Sequence, residues 1–207
     1  MSENVRLFNE DAVAYALHGK CVASDSQVFL QFHHNLKIAR SDRGWYYWCA
    51  PELDLIEVRP DGRVVGYELK GARQHKSGLP DFPAMYDGIG QAVAYLDLPT
   101  ICEGQRRLFE GGVFDGVYLV CARERAKIDE SERRVLGVVP IGGMLALPDG
   151  QFETVKEAPQ NPIQNVGAKK HFLQNLDSLE KHGNSGRIFR RIKERGEAYF
   201  NRVVASL

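Results

Sequence analysis

Long apolar runs are missing: no stretch of the 207-residue sequence reaches the ~18–20 apolar residues that span a bilayer, so no membrane helix is expected. The opening residues are polar and acidic, unlike a secretory leader, and a cytoplasmic protein is the expectation. Cysteine is sparse. Cys21, Cys49, Cys102 and Cys121 are scattered without a C-x-x-C pair, which excludes a zinc knuckle or a thioredoxin-type motif and leaves buried free thiols. The phosphate-cradling pattern G-x-x-x-x-G-K-[ST] is absent, and with it a P-loop ATPase. No repeat or low-complexity tract interrupts the chain. Nor is either charge in excess: 27 basic residues balance 27 acidic ones.

A net charge of zero does not announce a nucleic-acid binder. Its distribution says more. From residue 165 onward nine basic residues face four acidic ones, a net of +5, so the remainder is acidic and the molecule is polarised. Arg187, Arg190 and Arg191 crowd the start of the last predicted helix, residues 186–205, as candidates for phosphate contacts or partner docking. With 43% apolar and 10% aromatic residues the chain can build a core. One domain over residues 1–156 is expected. A basic helical extension over 157–207 follows it, behind a proline-bearing linker at 157–162.

Apolar spacing predicts a helix over residues 7–18, with Asn9 as a cap. Residues 27–33 and 45–49 read as strands. The second is aromatic (Trp45, Tyr46, Tyr47, Trp48), and is either core or a base-stacking surface. The clearest signal is a hairpin. Residues 52–59 and 63–71 are β-rich runs joined by Pro60-Asp61-Gly62, where Pro presets φ and Gly accepts a positive one. A polar loop at 74–83 precedes a helix over 84–96, closed by Pro99. Residues 116–122 and 135–140 read as strands, 144–155 as a second hairpin, and 167–181 as a helix. The class is α/β: a mixed central sheet flanked by helices, with a C-terminal helical extension.

Side chains alternate along a strand, so Glu52 and Asp54 share a face on the first limb of the hairpin, as do Glu68 and Lys70 on the second. The hairpin lets Asp54, Glu68 and Lys70 converge. Two carboxylates can hold Mg²⁺ or Mn²⁺, hard cations that prefer oxygen. A neighbouring lysine can orient water or stabilise charge on a phosphoryl group. A Glu-x-Lys pair is also commonly a surface ion pair of under ~1 kcal/mol. Here the carboxylates sit among Leu53, Leu55, Ile56, Val65, Tyr67 and Leu69, where charge is costly unless paired or metal-bound.

Pro51-x-x-Asp54, thirteen residues, then Glu68-x-Lys70 resembles the motif of the PD-(D/E)XK nuclease superfamily, which holds junction resolvases, many restriction endonucleases and RecB-type exonucleases. The resemblance covers residues 7–122. It implies a restriction-endonuclease-like core of helix, three-strand meander, helix and strand. Gln91-Ala92-Val93-Ala94-Tyr95 is similar to the Q-x-x-x-Y motif of RecB-like members, its two polar residues lying i, i+4 on one helix face.

By this resemblance the chain is expected to be a Mg²⁺- or Mn²⁺-dependent deoxyribonuclease with DNA as its partner. Asp54, Glu68 and the Leu69 carbonyl would hold the metal, and Glu10 of the first helix would add a carboxylate. The alternative is that Glu10 and its neighbour Asp11 are both solvated helix-start acids stabilised by the helix dipole. Lys70 would position the water, with Gln91 and Tyr95 supporting the site and substrate. Arg73, His75 and Lys76 follow the active strand and are placed for phosphate contacts. An exonuclease or end-processing enzyme comes first, a restriction or structure-specific endonuclease second, and a non-catalytic DNA-binding or interaction module third. Iron–sulfur-bearing relatives cluster cysteines near their end; here none follows Cys121, so no such cluster is implied. His33 and His34 are weaker ligand candidates. The neutral total charge suggests that a homo-oligomer or a protein partner completes the DNA channel.

Overall fold

The computed structural model describes residues 8–32, 36–42, 44–49, 53–178 and 186–205. His33, His34, Pro51 and Glu52 lie outside the described residues. Asn9 caps α1 (Glu10–Val22), its side chain accepting from Ala12 N at 3.0 Å. There follow β1 (Gln27–Phe32), β2 (Leu36–Ser41), β3 (Gly44–Cys49), β4 (Leu53–Val58) and β5 (Val64–Lys70). The β4–β5 turn uses Gly62 at φ +80°, and Asp61 Oδ1 accepts from Arg63 N at 2.9 Å. Inside the expected loop lies a two-strand flap, β6 (Arg73–Gln74) with β7 (Pro80–Asp81). The helix expected over 84–96 is shorter, because Gly88 and Gly90 weaken its start: α2 (Ile89–Ala94) stands between 3-10 turns at Met85–Asp87 and Tyr95–Asp97.

Next come β8 (Thr100–Glu103), β9 (Arg106–Arg107), β10 (Gly116–Ala122), α3 (Glu130–Val138), β11 (Gly142–Ala146), β12 (Phe152–Lys156), α4 (Val166–Leu173) and α5 (Gly186–Ala205). The strand expected at 135–140 is instead the end of α3. Val135, Val138 and Val139 favour a strand by type, but two signals outweigh them. Asp129 Oδ1 accepts from Glu132 N at 2.7 Å, and Glu132 Oε2 accepts from Asp129 N at 2.9 Å, a reciprocal helix cap. Glu132 and Leu136, one turn apart, face inward, leaving Val138 84% exposed.

Six strands form the central sheet in the order β1-β4-β5-β10-β11-β12. Strands β5, β10 and β11 run parallel and the remaining pairs antiparallel, so the sheet is mixed. β4 and β10 are buried throughout, as central strands covered on both faces must be. Helices α1 and α5 cover one face, where Phe8 stacks on Tyr199 at 5.1 Å. On the other face Trp48, from a second sheet of order β2-β3-β8-β9, stacks on Phe172 of α4 at 4.6 Å. The proline-bearing stretch before α4 is pinned to this body: the Asn161 amide donates to Leu96 O and Phe114 O at 2.8 and 3.0 Å. Among the described residues no helix is long and apolar enough to cross a membrane. Cys21, Cys102 and Cys121 are free thiols.

Candidate active site

The ladder between β4 and β5 ends at the pair Leu55–Tyr67. Beyond it Leu69 N–H donates to the Asp54 side chain, Oδ2 at 2.8 Å, instead of extending the ladder. That departure opens room between the strands. Asp54 is 9% exposed and Glu68 1%. The Lys70 ammonium is ion-paired to Glu68 Oε1. Glu68 Oε2, equally buried, has no partner of good hydrogen-bond geometry among the described residues, although the Tyr95 hydroxyl lies near enough to Glu68 to interact with it. Tyr95, just after α2, brings its hydroxyl to accept from Asp54 N at 3.4 Å.

Two glycines permit this convergence. A Cβ on Gly71 would collide with the backbone of Asn9 and Glu10, so glycine is what lets α1 begin against the end of β5. The join is fixed by Ala72 N donating to Phe8 O at 2.8 Å. A Cβ on Gly88 would come within 2.5 Å of Leu119 Cδ1 and 3.1 Å of Lys70 Cε, so this glycine leaves the passage through which the lysine runs.

The charges respond to one another. Burial first, then the carboxylates of Glu68 and Glu10, push the Asp54 carboxyl well above the usual range, against the Leu69 hydrogen bond and Lys70. Burial disfavours the Lys70 charge, but Glu68, Asp54 and Glu10 outweigh it and raise the lysine above its ordinary value. These carboxylates favour the ammonium form of Lys70, a donor and fixed charge beside them. Burial, with Asp54 and Glu68 beside it, also drives the Tyr95 hydroxyl far up, so it stays protonated.

A cleft of about 400 Å³ opens here, lined by Glu10, Lys70, Arg73 and Gln91 together with Phe82 and Asp87. Lys70 joins two groups: it lines the cleft with Glu10, Gln91 and Arg73, and it pairs with Glu68, which lies buried with Asp54 and Tyr95 outside that lining. Other candidates join neither. His75 and Lys76 are exposed on the flap, and His75 Nδ1 lies 2.9 Å from Ser77 Oγ. On α5, Arg187 and Arg190 are exposed, whereas Arg191 donates to Gln31 Oε1 at 2.7 Å and pairs with Asp11. Arg195 also pairs with Asp11, at 2.7 Å. Asp11 is consequently a buried anchor between α1 and α5, not a solvated acid. Of the aromatic strand, Trp48 is fully buried and Trp45 is 40% exposed.

Sequence reasoning misses a clamp behind the cleft. Glu132 Oε1 accepts from Met85 N at 2.7 Å and from Arg123, whose guanidinium also donates to Pro83 O. It holds residues 83–87, the wall that carries Asp87. The legible signal is the D-x-x-E capping pattern at Asp129 and Glu132, following the basic run Arg123, Arg125 and Lys127.

Among the described residues no three His, Cys, Asp or Glu side chains converge as a ready-made metal cage. Mg²⁺ does not require one, since it is commonly held by one or two carboxylates and keeps its waters. Asp54 and Glu68, whose Oε2 has no partner of good hydrogen-bond geometry among the described residues, fit such an ion. A cation would relieve the carboxylate repulsion that raises Asp54.

No protein-family model matches the chain, and no curated protein does. A solved structure, a protein of unknown function from Silicibacter pomeroyi, is similar over 82% of this chain and 84% of that one, at 13% identity and a TM-score of 0.44. A likeness that slight says nothing about chemistry.

Proposed function

We propose that the chain is a metal-dependent deoxyribonuclease built on a restriction-endonuclease-like core. The observation that carries this reading is the buried, mutually repelling pair Asp54 and Glu68 beside the Lys70 ammonium, whose side chain lines a cleft. A purely structural ion pair at this depth needs its remaining lone pairs satisfied, because desolvated charge costs several kcal/mol. Asp54 and Glu68, with the Leu69 carbonyl suggested by the motif resemblance, would hold Mg²⁺ or Mn²⁺. When bound, the cation supplies Lewis-acid polarisation of the phosphodiester and a more acidic water. Lys70 presents its fixed charge to the phosphoryl oxygens and orients the attacking water. Tyr95 steadies the Asp54 backbone. Gln91 and Arg73 grip the strand at the rim, and Glu10 adds a further carboxylate.

An exonuclease or end-processing activity is favoured over an endonuclease. The cleft is flanked by the flap from Arg73 to Asp81, which suits a strand end better than the side of a duplex. The test is incubation with Mg²⁺ or Mn²⁺ and a panel of circular and linear, single- and double-stranded DNA. Linear substrates should be degraded, circles spared, and activity lowered about 10²–10³-fold in Lys70→Ala. Cutting of circles would make it an endonuclease. No cleavage of any substrate with either metal would leave a non-catalytic binding module.

A further inference from the structure

Strand β10 runs parallel to β5, and its Cys121 pairs with Lys70. The chain therefore leaves β10 at the same edge of the sheet as the active lysine, the edge where ligands gather in parallel α/β sheets. What leaves is basic: Arg123, Arg125 and Lys127 lie within five residues. These three line a second hollow of about 330 Å³, together with Phe82, Glu124, Asp129 and Glu132. Phe82 also lines the cleft that holds Lys70 and Gln91. The two hollows share one half-buried aromatic residue, Phe82, in their linings.

Their charged groups divide into two sets. Arg123 is bonded to Glu132 and Pro83 O, and Asp129 caps α3, so these shape the wall. Arg125 and Lys127 are exposed, as is Glu124 beside them. We infer that this second hollow is a nucleotide subsite. It takes one nucleotide of a single DNA strand next to the one held in the cleft, with its base against Phe82 and its phosphate against Arg125 and Lys127. An aromatic ring shared by two hollows of small-molecule size reaches an unpaired base, not a base stacked inside a duplex. The inference rests on the nuclease reading for what happens in the cleft, but binding here is separable from cleavage there.

The experiment titrates the whole protein with fluorescein-labelled oligothymidylates of graded length, Ca²⁺ replacing Mg²⁺, by anisotropy across a range of salt. The variants are Arg125→Ala with Lys127→Ala, Phe82→Leu, and a charge control on α5, Lys193→Ala with Arg202→Ala. The paired Arg125/Lys127 variant should weaken binding about tenfold and shrink the salt slope by about one phosphate contact. Phe82→Leu should weaken binding several-fold with the slope unchanged. Affinity in the Arg125/Lys127 variant equal to wild type, or lowered no more than in the control, would overturn the subsite while leaving any observed cleavage intact. Binding that depends on Arg125 and Lys127 in a protein that cuts nothing would uphold the subsite and remove the nuclease reading. Wild-type protein that binds no oligothymidylate overturns the inference.

Discussion

The hairpin of β4 and β5 buries carboxylates on both faces and treats them differently. On the α1 side, Glu57 accepts from Ser26 Oγ at 2.8 Å, from the Tyr67 hydroxyl at 2.6 Å and from Arg59 Nε at 3.0 Å. Burial works to raise its carboxyl, but these three donors outweigh burial and hold it below the ordinary range. On the opposite face, Asp54 accepts one backbone N–H, faces two further carboxylates, and is pushed up. Glu57 lines a hollow of about 430 Å³, and Lys70 and Glu10 beside Asp54 line one of about 400 Å³, so volume does not separate the two. Satisfaction does. A closed network holds the fold together, whereas an open one leaves a demand for positive charge that a ligand can meet.

The strongest way to break this contrast is Glu57→Gln. The amide keeps the shape but loses the charge that Arg59, Ser26 and Tyr67 converge on. A loss of about 2 kcal/mol is expected, from hydrogen bonds to a buried charge, or a fall of ~4–8 °C in Tm for a domain of this size. Because the folded pKa is lowered, the Glu57 contribution is present above the unfolded carboxyl value of ~4.3 and is lost as pH falls through the folded one. The gap between wild type and variant should therefore close in acid. Thermal melts that coincide at neutral pH would dissolve the contrast.

How much of this could be read from residues alone depends on how local the cause is. The hairpin is announced by Pro60-Asp61-Gly62 and by alternation on either side, and both depend on neighbours in sequence. The bounds of α5 follow from its apolar spacing, and the Asn9 cap from its place before Glu10. Asp54, Glu68 and Lys70 are legible for the same reason. The pairing of β5 with β10 is not, since residues 71–115 intervene and nothing local sets that register. With it is lost the position of Arg123, Arg125 and Lys127 beside Lys70. The sheet that carries Trp48 is likewise built by a distant partner, β8. The helix that ends at Val138 has a different cause: the valines favour a strand by type, but the capping pair Asp129 and Glu132 upstream decides the segment.

A smaller effect sharpens the comparison from the open side. Asp54→Asn removes a charge that burial and its neighbours oppose, while the amide oxygen can still accept from Leu69 N. The metal-free variant should melt about 2–4 °C above wild type at neutral pH, the equivalent of ~1 kcal/mol. The pH dependence runs opposite to that of Glu57. A raised folded pKa means that the destabilisation is absent below the unfolded value of ~3.9 and grows as pH rises toward the folded one. Adding Mg²⁺ should raise the wild-type Tm and leave the variant unmoved, because only a site that binds the ion gains from it. Equal Mg²⁺ shifts in both proteins would place the ion elsewhere.

The smallest expected effect lies at the rim, where Gln91 and Tyr95 sit one helical turn apart at two depths. Tyr95 is 2% exposed and touches the Asp54 backbone, whereas Gln91 is exposed along the cleft. Gln91→Ala should leave stability within ~0.5 kcal/mol, as exposed substitutions do. On the proposed nuclease reading it should raise KM about threefold with kcat kept, since a rim hydrogen bond would grip substrate and transition state alike. A fall in kcat at constant KM would mean that Gln91 bonds only to the reacting group. It would then belong beside Tyr95 and Lys70, within the open network, and the cleft would have to close around the scissile phosphate further than its rim geometry implies.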